Sequence, residues 1–499
     1  MRKILKSCLV ILAVVCLSFS FVGCKKKVSP TTTNVDNVKS SNGATTNGGM
    51  TVVYGDYLYF INGSKDNDGT SPKKNKRSAI CRVKYNMATG ETEGDIEVVV
   101  DELVGFSNGS LNIFGDYLYY TTPCADENYK GEVLYYKTCF KRYDLVNKKS
   151  YLLYTTELNN KDETIDFAYY VVNDTLNLVV YETKNSTIKS MKIDKKVTLN
   201  YTISDVTGCT LSENYGKPTT SASVDANSFV FYTKAPDTYD YPQTGNKVHK
   251  TSPVTDDSKL ISQGKAISLL SIRSGKLLYS YNKFVYAQAI TAGDNVLLTE
   301  NTNCISRSEL TNAIYLENYS LQGKDSTAKL VKSEGSITVL TFDSTNLYFS
   351  VFEWTSSTTA IEDNHTNISL LESAKDFEFI GLTKLEEIVT KDDPETENVN
   401  EETKRTVLYA LYRESSKVYK VEIAEVVDEN TMKVSIHTEK VKLSDSTLSS
   451  TNGLLLPEAV GNYLFILSED DDKNNYLIKV DLTPTETVDK KSDKFALAE

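Results

Sequence analysis

Tryptophan and histidine are scarce in this sequence of 499 residues, which contains one tryptophan and three histidines. His249, His365 and His437 lie far apart, and no Cys-x-x-Cys pair accompanies them, so no zinc site can be assembled from a motif. A serine or cysteine nucleophile would also need a nearby base, which no histidine context suggests. We therefore predict no catalytic residue, no metal ligand and no cofactor-binding residue from motifs.

Positive charge is also in deficit, because the net charge of the chain is −12. Removal of Arg2, Lys3 and Lys6 with a signal peptide would lower this value to −15. An acidic body of this kind repels phosphate backbones, so we expect no nucleic-acid partner.

The N-terminus has the pattern of an export signal. A short basic segment precedes an apolar run from Cys8 to Val22. That run is shorter than the roughly 20 residues of a membrane-spanning helix and is typical of a secretory signal peptide. The alternatives are a plain secreted protein and an N-terminal membrane helix.

The end of this run, Phe21-Val-Gly-Cys24, resembles the lipobox of bacterial lipoproteins. The resemblance implies that Cys24 receives a diacylglycerol and becomes the first residue of the mature chain. Cys16 is a poorer alternative because it would divide the apolar run. We therefore expect residues 1–23 to be a signal peptide, and the protein to be lipid-anchored through Cys24 on the extracytoplasmic face of a bacterial cell membrane.

A polar segment follows the expected anchor. Residues 24–49 are rich in Ser, Thr, Asn and Gly and contain little that a core could bury. Such composition predicts a flexible tether. We expect residues 50–485 to form the folded body and residues 486–499 a polar tail.

The folded body is predicted to be a repeat array. A Gly-Asp or Gly-Asn turn pair between apolar β-forming segments occurs at Gly55, Gly115, Gly293 and Gly461. Weaker copies are predicted at Asn173, Ala226, Ser344 and Arg405, so the intervals run from 51 to 67 residues. Self-similarity at this period is typical of propellers and solenoids.

A second repeated strand has an apolar-basic-apolar-acidic pattern. It occurs at Ile80–Tyr85, Phe140–Asp144, Met191–Asp194, Val418–Glu422 and Leu477–Asp481. The strands after the turns are continuously apolar, which indicates cover on both faces and favours stacked propeller blades. We predict an all-β fold: one β-propeller of about eight four-stranded blades, with seven as the alternative.

The tyrosine-rich motif resembles that of bacterial propeller domains of unknown function. It is more distantly similar to the Tyr-Trp-Thr-Asp propeller of low-density-lipoprotein receptors. Tyr119-Tyr-Thr-Thr122 is the nearest local match, and Thr122 stands where that motif has Asp. The resemblance implies a fold and no particular activity.

Three short motifs resemble sites but fit structural roles better. Gly105-Phe-Ser-Asn-Gly109 matches a nucleophile elbow, yet a strand follows Ser107 where the elbow needs a helix. Ser64–Gly69 resembles part of a calcium loop but has Asn75 where that loop needs Glu. Glu469–Asp472 is a run of acidic residues, which is usually a solvated loop.

Five cysteines remain in the body: Cys81, Cys124, Cys139, Cys209 and Cys304. Because five is odd, at least one thiol stays unpaired. Cys124 and Cys139 fall in neighbouring strands of one unit and could form a disulfide. The preferred alternative is that these cysteines are small buried apolar residues.

Two insertions interrupt the repeat, at Lys384–Lys404, which is acidic, and at Thr238–Lys250. Each is interpreted as a solvated hairpin tip, with ligand binding as the alternative. The predicted function is a monomeric binding or assembly module for a protein, peptide or glycan. The alternatives are a hydrolase or lyase acting on cell-wall or polysaccharide material, and a structural surface protein.

Overall fold

The computed structural model is an all-β chain with one short 3-10 turn, η1 (Asp325–Thr327), among its described residues. These residues are 51–62, 78–86, 91–104, 111–124, 137–156, 164–173, 175–211, 229–235, 246–264, 268–273, 276–281, 284–289, 303–307, 313–342, 346–350, 368–372, 378–391, 401–436, 438–444, 447–456, 463–469, 475–482 and 493–495.

The first four sheets are built from consecutive antiparallel strands, four to a sheet. The strands of blades 1 to 4 are β1 (Thr51–Tyr54), β2 (Tyr57–Ile61), β3 (Ile80–Tyr85), β4 (Thr92–Val100); β5 (Asn112–Phe114), β6 (Tyr117–Cys124), β7 (Lys137–Asp144), β8 (Lys149–Thr155); β9 (Ile165–Val172), β10 (Thr175–Glu182), β11 (Thr187–Ile193), β12 (Val197–Ile203); β13 (Val206–Thr210), β14 (Val230–Lys234), β15 (Asn246–Thr251) and β16 (Lys259–Gly264).

The second half of the chain repeats this plan with one elaboration. The strands of blades 5 to 8 are β17 (Ser268–Arg273), β18 (Lys276–Tyr281), β19 (Phe284–Ala289), β20 (Asn303–Arg307); β21 (Ala313–Gln322), β22 (Lys329–Phe342), β23 (Asn346–Ser350), β24 (Ile368–Glu372); β25 (Glu378–Lys391), β26 (Glu401–Glu414), β27 (Lys417–Asp428), β28 (Thr431–Val434), β29 (Lys440–Ser444); β30 (Thr447–Leu456), β31 (Tyr463–Glu469), β32 (Asn475–Asp481) and β33 (Asp493–Phe495).

Blades 6 and 7 share one nine-stranded sheet. The elaboration arises because β22 pairs with β21 and β23 of its own blade and also with β28 of the next blade. In the same way, β27 pairs with β29 along its first half and with β28 along its second half. Six four-stranded sheets and this double sheet make eight groups among the described strands.

Neighbouring blades pack face to face around the ring. Buried clusters join blade 1 to blade 2, blade 2 to blade 3, blade 3 to blade 4, and blade 7 to blade 8. Blades 4, 5 and 6 contact one another in sequence through β13 with β17 and β20 with β22. Phe465 of blade 8 is buried in the cluster of blade 1, so the last blade meets the first. This arrangement is a β-propeller, as the sequence predicts.

The predicted turn pairs begin the first two blades. Gly55 and Gly115 have φ values of 59° and 61°, a left-handed conformation that glycine adopts without strain. Asn173 takes the corresponding position in blade 3 with φ of 47°. Ala226, Gly293, Ser344 and Gly461 lie outside the described residues.

Three of the spacing assignments are wrong: the clear turn pair at Gly293 and the weaker copies at Ser344 and Arg405. Arg405 lies inside β26 and pairs with Glu387, so it begins no blade. In blade 5 the first connection lies between Arg273 and Lys276, well before Gly293. Ser344 falls in the connection between β22 and β23, the second of blade 6. Long hairpins in blades 6 and 7 displaced the pattern from a regular period.

The basic residue of the predicted second strand has the same position in several blades. Arg82, Arg142 and Lys479 are each paired with an aromatic residue on the neighbouring strand. Each also stands over a second aromatic ring, which lies two residues earlier on that neighbouring strand. The distances from the charged group to the ring centroids of Tyr57, Tyr117 and Tyr463 are 4.3, 4.9 and 4.0 Å. Lys250 and Lys420 lie over Phe229 and Tyr409 in blades 4 and 7. The repeated motif therefore encodes a cation–π contact within each of these blades.

Cys124 and Cys139 form a disulfide between β6 and β7, with their Cα atoms 5.7 Å apart. The preferred sequence interpretation, two buried free thiols, is therefore corrected. The strand register explains the disulfide. Cys139 is opposite Thr122 and Cys124 is opposite Lys137, so the two cysteines are diagonal neighbours on adjacent strands and their thiols can meet. Cys81 is a buried free thiol. Burial raises the pKa of Cys81 to about 12 and that of Cys209 well above its ordinary value, so both are poor nucleophiles.

Candidate functional site

The two faces of the ring differ in what they carry. Seven of the eight groups have four described strands, and in blade 7 β28 and β29 both run antiparallel to β27 and together take the fourth position. The first strands of all blades therefore run in the same direction. The connections between first and second strands therefore share one face, which we call the hairpin face. In blades 1 and 2 this connection is the two-residue turn at Gly55 and Gly115.

Blades 6 and 7 depart from this plan on the hairpin face. The hairpins β21–β22, β25–β26 and β27–β28 all extend beyond the blade body there. We call these extensions the crown, which comprises residues 319–332, 385–391, 401–408 and 424–434. Pairing of Leu330 with Met432 joins the two blades into one sheet.

One face of the crown is apolar and buried. Ala328, Leu330, Met432 and Val434 pack in one cluster with Leu408 and Ala410 of blade 7. These six residues are at most 4% exposed, so this face is part of the core. The crown is therefore fixed to the ring and does not behave as a loose loop.

An ionic network fixes the base of the crown. The Arg405 guanidinium lies 2.9 Å from the Glu387 carboxylate and 3.1 Å from the Glu422 carboxylate. Arg405 contacts Oε2 of Glu387, whereas Lys420 donates to Oε1 at 3.1 Å and Tyr409 donates to Oε1 at 2.6 Å. Three strands, β25, β26 and β27, are thereby tied together through charged side chains.

The network extends into the segment that follows the crown. Ser435 donates a hydrogen bond to the Glu422 carboxylate at 2.6 Å. The backbone carbonyl of Glu422 accepts a hydrogen bond from Thr438 at 3.1 Å. The Lys420 ammonium also stands 4.3 Å from the centre of the Tyr409 ring. Each acid in the network therefore has a donor partner, which suits a rigid support.

The protonation state of the network follows from these contacts. Burial favours the neutral form of Glu387, but the hydrogen bond from Tyr409 and the charge of Lys420 outweigh it, so the pKa of Glu387 is lowered. Burial, together with the hydrogen bond to Glu387, raises the pKa of Tyr409 far above its ordinary value. Glu387 is therefore a carboxylate and Tyr409 a neutral donor at neutral pH.

Acid is expected to destabilise the protein partly through Glu387. Since the folded pKa lies below the ordinary value of 4.5, the unfolded chain binds this proton more readily, and stability is lost as pH falls through 4.5 toward the folded pKa. Glu387→Gln should lower stability at neutral pH by about 1–3 kcal/mol, as for hydrogen bonds to charged groups. It should also flatten the acid dependence measured by urea unfolding between neutral pH and about pH 3.

Glu386 provides a matched control on the same strand. Its carboxylate is 71% exposed and lies 4.0 Å from the Lys404 ammonium. Glu386→Gln should change stability by less than about 0.5 kcal/mol, as is usual for exposed substitutions. Equal acid profiles for Glu387→Gln and the unsubstituted protein would refute the assigned role of Glu387.

The outer face of the crown exposes lysines. Lys329 of β22 is directly opposite Lys433 of β28, and both side chains are exposed. Lys324 and Lys332 are exposed on the same hairpin. This surface contrasts with the acidic composition of the whole chain.

Another polar position lies on the inner strand β9. Asp166 is exposed, and the surrounding protein raises the pKa of its carboxyl group by desolvation. Burial raises the pKa of Tyr181, and Cys209 of the neighbouring strand β13 and Asp166 add to that shift. The crown, where charged side chains from three strands converge, is the stronger candidate.

Most predicted motifs do not converge on a site. His249 lies on β15, stacked on Tyr232 with ring centroids 5.0 Å apart. Burial, together with Lys234 and Lys247, lowers the pKa of His249, so it stays neutral. The motifs and residues outside the described ranges are Ser64–Gly69, Gly105–Gly109, His365, His437 and Cys24. Glu469 ends β31, and Cys304 belongs to β20.

The two predicted insertions have different outcomes. Lys384–Lys404 is largely an extension of the β25–β26 hairpin, which stays paired from Lys384 to Lys391. Its residues 392–400 lie outside the described ranges. The end of the insertion at Thr238–Lys250 forms β15 from Asn246, and its earlier part is also outside them.

The sequence does not predict the residues of the crown's ionic network, because none of them belongs to a recognisable motif. Glu387, Arg405 and Glu422 come from three strands, and the pairing register that joins them is long-range. No local signal marks them: Lys384-Leu-Glu-Glu-Ile-Val389 and Lys404-Arg-Thr-Val-Leu408 do not follow the two-residue alternation of a strand with one covered face.

Metal and membrane features were searched within the described ranges. There, no group of three or more His, Cys, Asp or Glu side chains is arranged to hold a metal ion. Within the same ranges, no helix has the length and apolar character needed to span a bilayer.

No protein-family model and no curated protein matches the sequence. Among solved structures, the chain is similar to the β-propeller domain of the Trilobed protease from Pyrococcus furiosus, with 8% identity, TM-score 0.32, and coverage of 80% of this chain and 97% of that one. It is similar to prolyl oligopeptidase B from Galerina marginata, with 10% identity, TM-score 0.32, and coverage of 75% and 47%.

A third similar structure is the GH74 xyloglucanase from Xanthomonas campestris, with 9% identity, TM-score 0.27, and coverage of 86% of this chain and 76% of that one. The chain thus spans about half the length of the prolyl oligopeptidase it matches. These low similarities carry no argument about activity, and the fold rests on the sheets and blade contacts described above.

Proposed function

We propose that this protein is a lipoprotein anchored through Cys24 outside the bacterial cell membrane, and that its propeller is a binding module. The crown would contact the partner, which is a protein, peptide or glycan. The observation that carries the proposal is the joined sheet of blades 6 and 7. This joined sheet extends the hairpin face, whereas the corresponding connections of blades 1 and 2 are two-residue turns. Binding residues often lie on such elaborations of a rigid scaffold.

Rigidity of the crown supports a role in recognition. The buried face holds it against blade 7, and the Arg405 network ties its strands at the base. A preorganised surface loses less conformational entropy when it binds. A surface fixed in this way is therefore better suited to binding than a flexible tip would be.

The disulfide supports an extracytoplasmic location. Cys124 and Cys139 are bonded in β6 and β7. Disulfides form and persist in oxidising compartments and are rare in the reducing cytosol of mesophiles. The same location would follow from lipidation at Cys24, since two acyl chains give stable anchoring.

Affinity capture from solubilised membranes tests the binding role. Val427 is an exposed apolar residue on the β27–β28 hairpin of the crown, with 62% of its surface accessible. Val427→Arg should reduce recovery of a specific partner at least tenfold, because a new charge at a contact surface must be desolvated. Quantitative mass spectrometry of the recovered material provides the measurement.

Val146 provides the matched control. It is 68% exposed and lies in the β7–β8 connection of blade 2, also on the hairpin face. Val146→Arg should recover the same partner as the unsubstituted protein. Equal recovery by Val427→Arg would refute the crown as the contact surface, and turnover of an offered glycan would favour an enzyme instead.

A further inference from the structure

Two lysines oppose each other on the outer face of the crown. Lys329 and Lys433 are directly opposite in the antiparallel pair β22–β28, and both are exposed. Side chains in such positions have Cβ atoms about 4.5–5.5 Å apart, and like charges there repel each other. Within the described ranges, neither ammonium has an ion pair or a side-chain hydrogen bond that relieves this repulsion.

The residues beside the pair compensate only part of its positive charge. Gln322 is opposite Lys329 on one side, and Glu425 is opposite Lys433 on the other. This row of four residues therefore carries a net charge of +1. Lys324 and Lys332 are exposed on the β21–β22 hairpin, and Asp428 and Glu429 are exposed at the end of the β27–β28 hairpin. The whole chain has a net charge of −12, so composition alone does not account for a local positive surface.

Strand direction sets which way this surface points. The inner strand β1 begins at Thr51 and runs toward the Gly55 turn on the hairpin face. The segment from Cys24 therefore joins the ring at the opposite face. The crown therefore lies on the face of the ring opposite the point where the predicted tether joins it.

We propose that Lys329 and Lys433 bind a linear polyanion whose charges are phosphate groups. This inference rests on the proposed function, because it names the partner class for the same surface. Lysine ammonium groups bind phosphate as point charges, and two of them side by side can contact one phosphate group or two successive ones. Binding of a polymer would also relieve the repulsion between the two lysines.

Linear inorganic polyphosphate is the probe, added to the full chain and followed by isothermal titration calorimetry. Lys329→Gln with Lys433→Gln should weaken binding at least tenfold. It should also reduce the slope of log affinity against log salt by about two, one for each lost phosphate contact. Both substitutions are on exposed side chains, and thermal unfolding confirms that the fold is retained.

A second pair of lysines gives the matched control. Lys195 and Lys196 are exposed in the β11–β12 connection of blade 3, which also lies on the hairpin face. Lys195→Gln with Lys196→Gln changes the net charge equally and should leave affinity within about twofold, since distant exposed charges are screened by salt.

Three results would overturn the inference: no binding of polyphosphate, equal losses in the two double variants, or equally strong lysine-dependent binding of anionic vesicles. The proposed function fails separately. If partner capture still depends on Val427 while polyphosphate does not bind, only the polymer assignment falls. If polyphosphate binding depends on Lys329 and Lys433 while capture is unaffected by Val427→Arg, the captured partner is not held by the crown.

Discussion

Phe465→Ala is expected to destabilise the propeller by about 3–5 kcal/mol, the usual cost of deleting a buried phenylalanine ring. Phe465 is fully buried, and its ring meets Tyr85 of blade 1 edge to face at 6.1 Å. Among the described strands, blades 1 and 8 share no strand pairing, so side-chain packing of this kind holds the ring closed. Urea unfolding measures the loss, and hydrogen exchange should show faster opening in β1–β3 and β31–β32.

Phe140→Ala separates a general core effect from an effect on closure. Phe140 is also fully buried and meets Phe167 edge to face at 4.9 Å between blades 2 and 3. Phe140→Ala should lower the free energy of unfolding by a similar amount but accelerate hydrogen exchange in blades 2 and 3. If both variants accelerate exchange uniformly around the ring, then the junction of blades 1 and 8 is not a distinct point of opening.

Cys24→Ala is expected to abolish lipid labelling and to release the protein from the membrane fraction. The thiol of Cys24 is the predicted acceptor of the diacylglycerol, so its loss removes the covalent anchor. The lysines at positions 25–27 would contribute only about 1 kcal/mol each on an anionic surface, which does not replace two acyl chains. Metabolic labelling with palmitate and fractionation of cells provide the measurement.

Cys16→Ala is the matched control within the same apolar run. It removes a thiol at the alternative position and should leave both labelling and fractionation unchanged. Label retained on Cys24→Ala would exclude Cys24 as the lipidated residue. Loss of label only in Cys16→Ala would move the site to that alternative position.

Local chemistry predicted much of the fold. The turns at Gly55 and Gly115 require a left-handed conformation that glycine and few other residues accept, so their positions were visible in the sequence. The apolar-basic pattern of the third strand was also visible, although its reason was not. The structure shows that Arg142 stands over the ring of Tyr117, which couples the two motifs.

The blade junction of blades 6 and 7 could not be predicted in the same way. A residue such as Lys433 pairs with Lys329 across more than 100 positions of sequence, and no local signal encodes that partner. The assignment of Arg405 as a blade start failed for the same reason, because a long hairpin hides the true turn. Long-range register is set by the whole folded surface rather than by a short motif.

The candidate site was predicted only as a region. The acidic insertion beginning at Lys384 drew attention to the right hairpin, but its acids alone suggested a solvated tip. Glu387 gains its role from Tyr409, Arg405 and Lys420, which reach it from two other strands. The role of a charged residue such as Glu387 therefore cannot be predicted until the residues on the neighbouring strands are known.

Apart from the joined pair, each blade of this ring occupies one uninterrupted stretch of the chain. In genetic terms, an in-frame duplication or deletion of one such stretch would add or remove a whole blade. No remaining blade would lose a strand, since the described strands of the first and last blades share no pairing and meet through side chains. Blade number can therefore change between descendants of one gene, while the double sheet of blades 6 and 7 must be inherited as a unit.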